Sequence, residues 1–187
     1  TIQSLFAQGA PIDSFGVGTK LATCDPQPSL GGVYKLSAIR ASADEPWRPV
    51  IKLSEQAYKR TIPGIQRVLR FYDETECPVG DMICQEGADP SCDEMIDILD
   101  SFRSYDLSGA YRELLVRVVD HGRGTDAGAV SIEHARERCK SAIMHLDAAV
   151  TRFLNPQTYP VGLELGLARL RQELSAEERR SSGRALL

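Results

Sequence analysis

The sequence predicts a mixed α/β protein, and three observations along the chain support that class. A helix-like stretch, a short apolar run and a glycine turn follow one another within residues 1–30. Segments that alternate in a strand-like way dominate residues 31–125, whereas apolar residues recur at helical spacing within residues 126–187. We therefore expect one αβ piece, a β-rich layer and C-terminal helices, in that order.

The composition is that of an ordinary soluble globular protein, and 187 residues are enough to bury a full core. The formal net charge of −4 gives no general basic field for nucleic acid or an anionic membrane. No apolar run approaches the roughly 20 residues of a spanning helix, and the first residues lack the pattern of a signal peptide. The five cysteines include no C-x-x-C pair, so we expect reduced thiols in a cytoplasmic protein.

The N-terminal piece is predicted to contain a helix, a buried strand and a turn. Thr1–Gln8 has apolar residues on one side at helical spacing and is followed by Gly9, a typical helix terminator. Ile12–Phe15 is a short, mostly apolar run and is predicted to be a strand of a parallel sheet. A single buried parallel strand cannot satisfy its backbone hydrogen bonds without neighbours, so we expect further polypeptide N-terminal to Thr1.

Gly16, Gly18 and Thr19 form a candidate phosphate site directly after that strand. Glycines leave room for a ligand because they lack a Cβ. A threonine hydroxyl beside the N–H groups of a starting helix or turn can donate hydrogen bonds to a phosphate. A Gly-x-Gly pair alone is more often a tight turn, so the motif depends on its surroundings for its interpretation.

The middle of the chain is predicted to form antiparallel strand pairs. Val33–Ile39 and Trp47–Leu53 alternate in a β-like way around the polar loop Arg40–Pro46. The further predicted strands are Gln66–Tyr72, Asp81–Gln85 after a turn at Cys77–Gly80, and a last strand within Tyr111–Val119. These segments would form a β-rich layer distinct from the αβ piece.

Charge is distributed unevenly over this region. Residues 47–70 hold six basic residues against Glu55 alone, and these are either a solvated strand face or cations that frame a polyphosphate. Residues 73–106 hold eleven acidic residues against Arg103 alone, and are predicted to form a solvated loop and a short helix at Cys92–Asp100. A metal site is a less favoured alternative, because neighbouring surface acids usually face water. Its ligands would be Asp93, Glu94, Asp97 and Asp100.

Two amphipathic helices are predicted at the C-terminal end. Ser131 would cap a helix that extends to about Phe153, with an apolar stripe along one face. A second helix is predicted after Tyr159-Pro160, with its apolar positions at Leu163, Leu167, Leu170 and Leu174. Ser175–Glu178 then has the pattern of a capping box that starts a short tail. The three histidines are expected at the surface: His121, His134 and His145.

An ordered series of sequence blocks runs through these regions. The blocks are Ser14–Thr19, Leu30–Leu36, Pro49–Ser54, Lys59–Gly64 with Gln66–Arg70, and Asn155–Gly162. In this order they resemble the C-terminal part of nicotinate phosphoribosyltransferase, and the resemblance covers nearly the whole chain. One departure is Ile65, where the family usually has a basic residue after the Pro-Gly pair. No role is therefore assigned to that position.

The resemblance implies an enzyme that joins nicotinate to phosphoribosyl diphosphate, driven by ATP hydrolysis with Mg²⁺ through a phosphorylated histidine. It also implies the end of an irregular type II phosphoribosyltransferase α/β barrel beside a β-rich domain, in a homodimer. Gly16, Gly18 and Thr19 match the family's phosphoribosyl-diphosphate-binding loop, and Lys35 and Lys52 are further candidate contacts. The family's catalytic histidine belongs to the N-terminal remainder of the enzyme. No catalytic residue is therefore expected in this chain, and the chain alone is expected to be inactive.

Other functions stay open at this point. The glycine turn also suits a non-catalytic phosphate- or nucleotide-binding module. The basic and acidic regions suit an interaction segment that pairs with partner chains. A phosphoribosyltransferase that acts on nicotinamide or quinolinate is a further enzyme alternative, although Gly31–Lys35 and the Tyr159-Pro160 pair favour nicotinate.

Overall fold

The chain forms two compact units, residues 1–35 and residues 36–187. The computed structural model describes residues 2–25, 28–29, 33–54, 60–89 and 94–184. Within these ranges, no helix is both long enough and apolar enough to cross a membrane. Each unit is described by itself below.

The first unit contains the helix α1 (Ile2–Ala7), which confirms the predicted N-terminal helix. It ends at Ala7, and Gly9 in the turn that follows has a φ of +68°, in the left-handed region that glycine adopts readily. The strand prediction for Ile12–Phe15 is wrong, because this segment is irregular and no strand of the described chain pairs with it. The Phe15 ring instead packs edge-on against Phe6, with ring centroids 5.5 Å apart. A short helix, α2 (Thr19–Ala22), follows.

The second unit begins with a minimal antiparallel hairpin. Strands β1 (Ala38–Ile39) and β2 (Arg48–Pro49) pair over two residues each, around the predicted loop. The predicted strands were several residues longer, and Pro49 helps to explain the difference because it has no N–H to donate to a ladder. Within the loop, the Arg40 guanidinium lies 4.4 Å from the centre of the Trp47 ring.

A six-stranded sheet forms the centre of this unit, in the order β6-β5-β10-β4-β3-β7. Its strands are β3 (Gln66–Tyr72), β4 (Pro78–Gln85), β5 (Glu94–Asp97), β6 (Ser104–Asp106), β7 (Tyr111–Glu113) and β10 (Val161–Glu164). Only β10 and β4 are parallel, and the other neighbours are antiparallel. A mixed sheet of this kind agrees with the predicted α/β class and with a β-rich layer in this region.

Strand β3 has the predicted bounds, whereas β4 starts three residues earlier than predicted. The expected turn at Cys77–Gly80 is wrong because the chain turns before this point. The Asp73 carboxylate accepts hydrogen bonds from the N–H groups of Thr75 (2.8 Å) and Cys77 (2.9 Å), which closes a compact turn. Pro78 is therefore free to be the first residue of the strand.

The helix predicted at Cys92–Asp100 is wrong over the residues that the structure describes. Glu94–Asp97 is strand β5, between β6 and β10. Its Met95 side chain is fully buried, and the Asp97 carboxylate accepts hydrogen bonds from the N–H groups of Leu99 and Asp100 to form the turn toward β6. One buried methionine among acidic neighbours is too weak a pattern to distinguish a strand from a helix.

The strand predicted within Tyr111–Val119 is divided in the structure. Tyr111–Glu113 (β7) pairs with β3 at the edge of the sheet, after which the chain leaves it. Val119–Asp120 (β8) then pairs with Arg123–Gly124 (β9) in a separate two-residue hairpin. His121 and Gly122 form its tight turn, with φ of +45° and +76°.

Two short helices replace the single helix predicted from Ser131 to Phe153. Ser131 caps α3 (Ile132–Met144) as predicted, since its hydroxyl accepts from the His134 N–H at 3.3 Å. The helix ends at Met144, and Asp147 caps a second helix, α4 (Ala148–Thr151), by accepting from Ala149 N–H at 2.6 Å. None of the described residues in either helix is buried, so the predicted apolar stripe of α3 is not covered within this unit.

Strand β10 was not predicted, and it lies in the interior of the sheet between β5 and β4. Leu163, which was assigned to a helix, lies in this strand between β4 and β5. The helix α5 (Leu165–Arg184) follows directly, and the Glu164 carboxylate accepts from the N–H groups of Gly166 and Leu167 at its start. The capping-box prediction at Ser175–Glu178 is wrong, because α5 continues through these residues.

Two apolar clusters pack on opposite faces of the sheet, because successive strand residues point to opposite sides. The first contains Leu69, Phe71, Met82, Cys84, Met95 and Leu107. The second joins Leu163 to the α5 residues Leu167 and Ala168, with Ile62, Ile83, Ile96, Ile98 and Leu170 around them. Helix α5 therefore covers the face opposite to the first cluster.

Candidate functional site

The predicted phosphate-binding residues lie together at the start of α2. The Gly18 carbonyl oxygen accepts hydrogen bonds from the N–H groups of Leu21 (3.0 Å) and Ala22 (3.2 Å), and Thr19 is the first helical residue and is exposed. A Cβ built at Gly16 or Gly18 would meet nothing within 4 Å, and neither residue has a left-handed φ. The packing of this unit, as far as it is described, therefore does not require glycine at either position.

The two candidate lysines belong to different units. Lys35 is exposed at the end of residues 1–35, and Lys52 is exposed in the second unit. Lys20, next to the glycine turn, forms an ion pair with Asp25 at 3.2 Å. The structure thus brings Gly16, Gly18 and Thr19 together as neighbours in one segment, and each lysine is a surface residue of its own unit.

Sequence reasoning missed a polar network on the α5 side of the sheet. Arg70 and Asp81 are directly opposite each other on β3 and β4. The guanidinium donates through Nε to Asp81 Oδ1 (2.8 Å) and through Nη2 to Oδ2 (2.7 Å), a bidentate pair. The Tyr159 hydroxyl donates to Asp81 Oδ1 at 2.9 Å, and the Asp81 N–H donates to the Pro160 carbonyl at 3.0 Å.

This network fixes the protonation states of its members. The hydrogen bond from Arg70 to Asp81 raises the pKa of Arg70 above its usual range. Burial, together with the negative charge of Asp81, raises the pKa of Tyr159 well above its usual range. Tyr159 therefore stays neutral and Arg70 charged, so the network acts as a fixed clamp between two strands and the segment that leads into β10. Neither Arg70 nor Tyr159 is poised for proton transfer near neutral pH.

The clamp joins two sequence blocks that lie far apart in the chain, Gln66–Arg70 and Asn155–Gly162. A signal for it exists in the sequence, because an aspartate within the largely apolar segment of Pro78–Gln85 requires a partner if it is buried. The identity of that partner depends on the register of β3 against β4 and on the path of the chain before β10. Neither could be deduced from periodicity.

Two adjoining cavities lie at the Tyr159 end of the sheet, with volumes of about 560 Å³ and 510 Å³. Both are lined by Asp73, Val79, Tyr105 and Pro160. The Arg103 guanidinium lies 5.0 Å from the centre of the Tyr105 ring, and the Tyr105 hydroxyl donates to Asp97 Oδ2 at 2.9 Å. This region offers aromatic faces and charges of both signs, which can hold a polar molecule or a peptide segment but contain no activated nucleophile.

The described titratable groups of this part of the protein include two cysteines with raised pKa values and two exposed histidines. Burial raises the pKa of the thiols of Cys77 and Cys84, so neither is a ready thiolate. His134 and His145 are exposed and contact Ser131 and Ser141 of their own helix. Within the described ranges, no group of three or more histidine, cysteine, aspartate or glutamate side chains could hold a metal ion. The Asp97 carboxylate is already engaged by two backbone N–H groups and Tyr105, and Asp93 lies outside the described residues.

Comparison with known proteins assigns this fold to a class. The crystal structure of human nicotinic acid phosphoribosyltransferase matches 79% of this chain with a TM-score of 0.55 and 22% sequence identity, and the match covers 27% of the human chain. Most of this chain therefore has a fold found within that human protein. The family model described as the nicotinate phosphoribosyltransferase C-terminal domain matches residues 65–171, the region of the mixed sheet and the start of α5. The chain belongs to the nicotinate phosphoribosyltransferase family.

Curated relatives agree with this assignment. Nicotinate phosphoribosyltransferase 2 of Arabidopsis thaliana is 32% identical over 176 residues, which is 89% of this chain and 30% of the relative. Nicotinate phosphoribosyltransferase of Bacillus subtilis (strain 168) is 48% identical over 75 residues, 40% of this chain and 15% of the relative. The aligned region thus spans less than a third of the length of these relatives.

Proposed function

We propose that this chain is the C-terminal portion of an enzyme that joins nicotinate to phosphoribosyl diphosphate, a step of NAD biosynthesis. The observation that carries the proposal is the family match over residues 65–171, and 89% of the chain also aligns with the Arabidopsis relative. Phosphoribosyl transfer requires few reacting side chains, because the enzyme mainly positions two substrates and stabilises the charge that develops between them. A rigid sheet and a ligand-binding loop are suitable contributions from such a portion.

The proposed contribution of this chain to substrate binding is the segment with Gly16, Gly18 and Thr19. The glycines leave the backbone open to close approach by a phosphate, and the Thr19 hydroxyl stands at the start of α2 as a donor. Lys35, in the same unit, is proposed to add positive charge around this ligand, and Lys52, in the second unit, is proposed as a further phosphate contact. Because a Cβ at Gly16 or Gly18 meets no atom of this unit within 4 Å, the packing leaves room there for a bound ligand.

ATP hydrolysis and the Mg²⁺ that accompanies it are assigned to the remainder of the enzyme. The residues that the structure describes do not fit a magnesium site, since no suitable cluster of ligands exists among them. The three histidines are exposed, and no residue in this chain is proposed to react.

The main partner of this chain is proposed to be the N-terminal remainder of the enzyme, in a cytoplasmic homodimer. The aligned region covers only 30% of the Arabidopsis relative, so most of that relative's length is available to cover this chain. Several large apolar side chains of the described residues are exposed and suit such a contact: Tyr34, Leu115, Val116, Ile132 and Phe153.

Alanine substitution of the two glycines tests the proposed ligand contact. A chimaera is made in which this chain replaces the aligned segment of the Arabidopsis relative. We expect Gly16→Ala and Gly18→Ala each to weaken phosphoribosyl diphosphate binding at least about tenfold. The added methyl would keep the phosphate away from the backbone, so the phosphate would lose hydrogen bonds from this segment. Stability should change little in Gly16→Ala, because its methyl meets open space in this chain. Isothermal titration calorimetry and thermal unfolding provide the two readouts.

The matched control is Gly124→Ala, because a Cβ at Gly124 also meets nothing within 4 Å and this glycine has no left-handed φ. It should leave the affinity unchanged. Equal affinity in all three variants would contradict the role of the glycine segment. Competition between nicotinate, nicotinamide and quinolinate in the same chimaera separates the proposed base from the alternatives. Binding of phosphoribosyl diphosphate without turnover on any base would favour a non-catalytic module.

A further inference from the structure

A small cavity with two arginines at its wall lies between α5 and the turn that follows β5. Its volume is about 130 Å³. Helix α5 contributes Ala168, Arg171, Gln172 and Ser175, which share one helical face by their spacing. The other wall consists of the end of β5, the turn that follows it, Leu163 and Arg60.

Both guanidinium groups are anchored by a backbone carbonyl and retain further donors. Arg171 Nη1 donates to the Ile98 carbonyl at 3.1 Å, and Arg60 Nε donates to the Ser54 carbonyl at 3.3 Å. Each guanidinium carries five N–H donors in a planar fork. The Ser175 hydroxyl donates to the Arg171 carbonyl at 2.6 Å, which holds this turn of α5 in place.

The described residues that line this cavity carry one more positive than negative charge, because Arg60 and Arg171 face the single carboxylate of Asp97. Asp97 is the single acid there, and its oxygens accept from Leu99 N–H, Asp100 N–H and the Tyr105 hydroxyl. Burial, and to a smaller extent the Arg60 charge, lowers the pKa of Arg171. Two cations that share a partly buried cavity repel each other, and an anion between them would relieve this cost.

We propose that this cavity is a binding site for a phosphate-type oxyanion, gripped by Arg60 and Arg171. Planar guanidinium groups match phosphate oxygens with paired, charge-assisted hydrogen bonds. The volume suits one phosphate group, since pockets for drug-sized ligands measure about 300–1,000 Å³. The site lies wholly within the second unit.

Titration of inorganic phosphate into the 187-residue chain, in a chloride buffer, tests the proposal. We expect saturable binding that weakens at least about tenfold in Arg60→Gln and in Arg171→Gln, because each change removes a charge and its donors. The control is Arg169→Gln, an exposed arginine of the same helix that does not line the cavity, which should bind phosphate like the unaltered chain. Ribose 5-phosphate in a parallel titration distinguishes free phosphate from a phosphate carried by a larger molecule.

Circular dichroism of each variant identifies any loss of folding. If Arg171→Gln is unfolded, the phosphate affinity of Arg60→Gln alone tests the proposal. No saturable phosphate binding by the unaltered chain would overturn the proposal. Equal binding by folded Arg60→Gln, or equal weakening by Arg169→Gln, would overturn it as well, because the phosphate would then be held by general surface charge.

Discussion

At the scale of single residues, the Asp81 carboxylate is the charge on which the centre of the sheet depends. It is bound by both arms of the Arg70 guanidinium and by the Tyr159 hydroxyl, and 13% of its side chain is exposed. Removing one partner of such a pair leaves the other charge with neither water nor a counter-ion around it. The neutral, isosteric substitution Asp81→Asn isolates this effect from any change of volume.

We predict that Asp81→Asn lowers the free energy of unfolding by about 3 kcal/mol, because Arg70 loses its counter-charge in a half-buried position. Urea unfolding of the isolated chain measures the change. The matched control is Glu76→Gln, which breaks the exposed pair between Glu76 and Arg112, whose side chains are 68% and 62% exposed. That change should cost less than about 1 kcal/mol. Equal costs for the two substitutions would contradict the special role of the clamp.

Thr61 provides the opposite case, a buried polar group that lacks a partner in the described structure. Thr61 is only 3% exposed, and its hydroxyl oxygen forms no hydrogen bond in the described structure. We predict that Thr61→Val raises the free energy of unfolding by about 1 kcal/mol, because the substitution removes a desolvated hydroxyl and keeps the shape. Urea unfolding measures this change as well.

The control for Thr61 is Thr125→Val. The Thr125 hydroxyl donates to the Arg117 carbonyl at 2.6 Å, so the same change of side chain should there be neutral or destabilising. A loss of stability in Thr61→Val would show that the Thr61 hydroxyl has a partner in solution, a bound water for example.

At the scale of elements, β10 depends on a glycine at its centre. A Cβ at Gly162 would lie 2.6 Å from the Ile96 carbonyl oxygen and 2.9 Å from the Met95 side chain. We predict that Gly162→Ala destabilises the chain by about 2 kcal/mol or more, because backbone on the neighbouring strand must move. Thermal or urea unfolding, with Gly124→Ala as the control that meets open space, checks this. A loss below about 0.5 kcal/mol would mean that β5 is not held against β10 as described.

Local pattern was sufficient for the elements whose sequence repeats one rule over several residues. Strand β3 alternates clearly, and Ser131 before an apolar-periodic segment marks the start of α3. It was not sufficient for β5 and β10, which are four residues each. These short strands are buried by pairing with segments distant in the chain, and that pairing leaves no periodic trace in either one.

The candidate sites show the same division between local and long-range information. Gly16, Gly18 and Thr19 could be proposed from one short motif, because glycine and threonine carry their chemistry locally. The clamp and the two-arginine cavity could not be proposed in this way. The folded sheet brings Arg70 close to Tyr159, and the packing of α5 places Arg171 in the same cavity lining as Arg60. Cavities formed by residues more than a hundred positions apart require the fold.

At the scale of the whole molecule, the described surface suits a part of a larger enzyme. The described helices α3 and α4 bury no residue, and Ile132 and Met144 are 83% and 77% exposed. An amphipathic helix is normally stabilised by covering its apolar face. We propose that the remainder of the enzyme supplies this cover, and that the substrates bind only when both portions are present.

Formation of nicotinate mononucleotide is the measurement that tests the central claim most directly. The isolated 187-residue chain and the chimaera with the Arabidopsis relative are each supplied with nicotinate, phosphoribosyl diphosphate, ATP and Mg²⁺, and the product is quantified by chromatography. The account predicts product from the chimaera and none from the isolated chain. Product from the isolated chain would contradict the assignment of all reacting groups to the N-terminal remainder. A folded chimaera without product would contradict the proposal that this chain serves as the C-terminal portion of a nicotinate phosphoribosyltransferase.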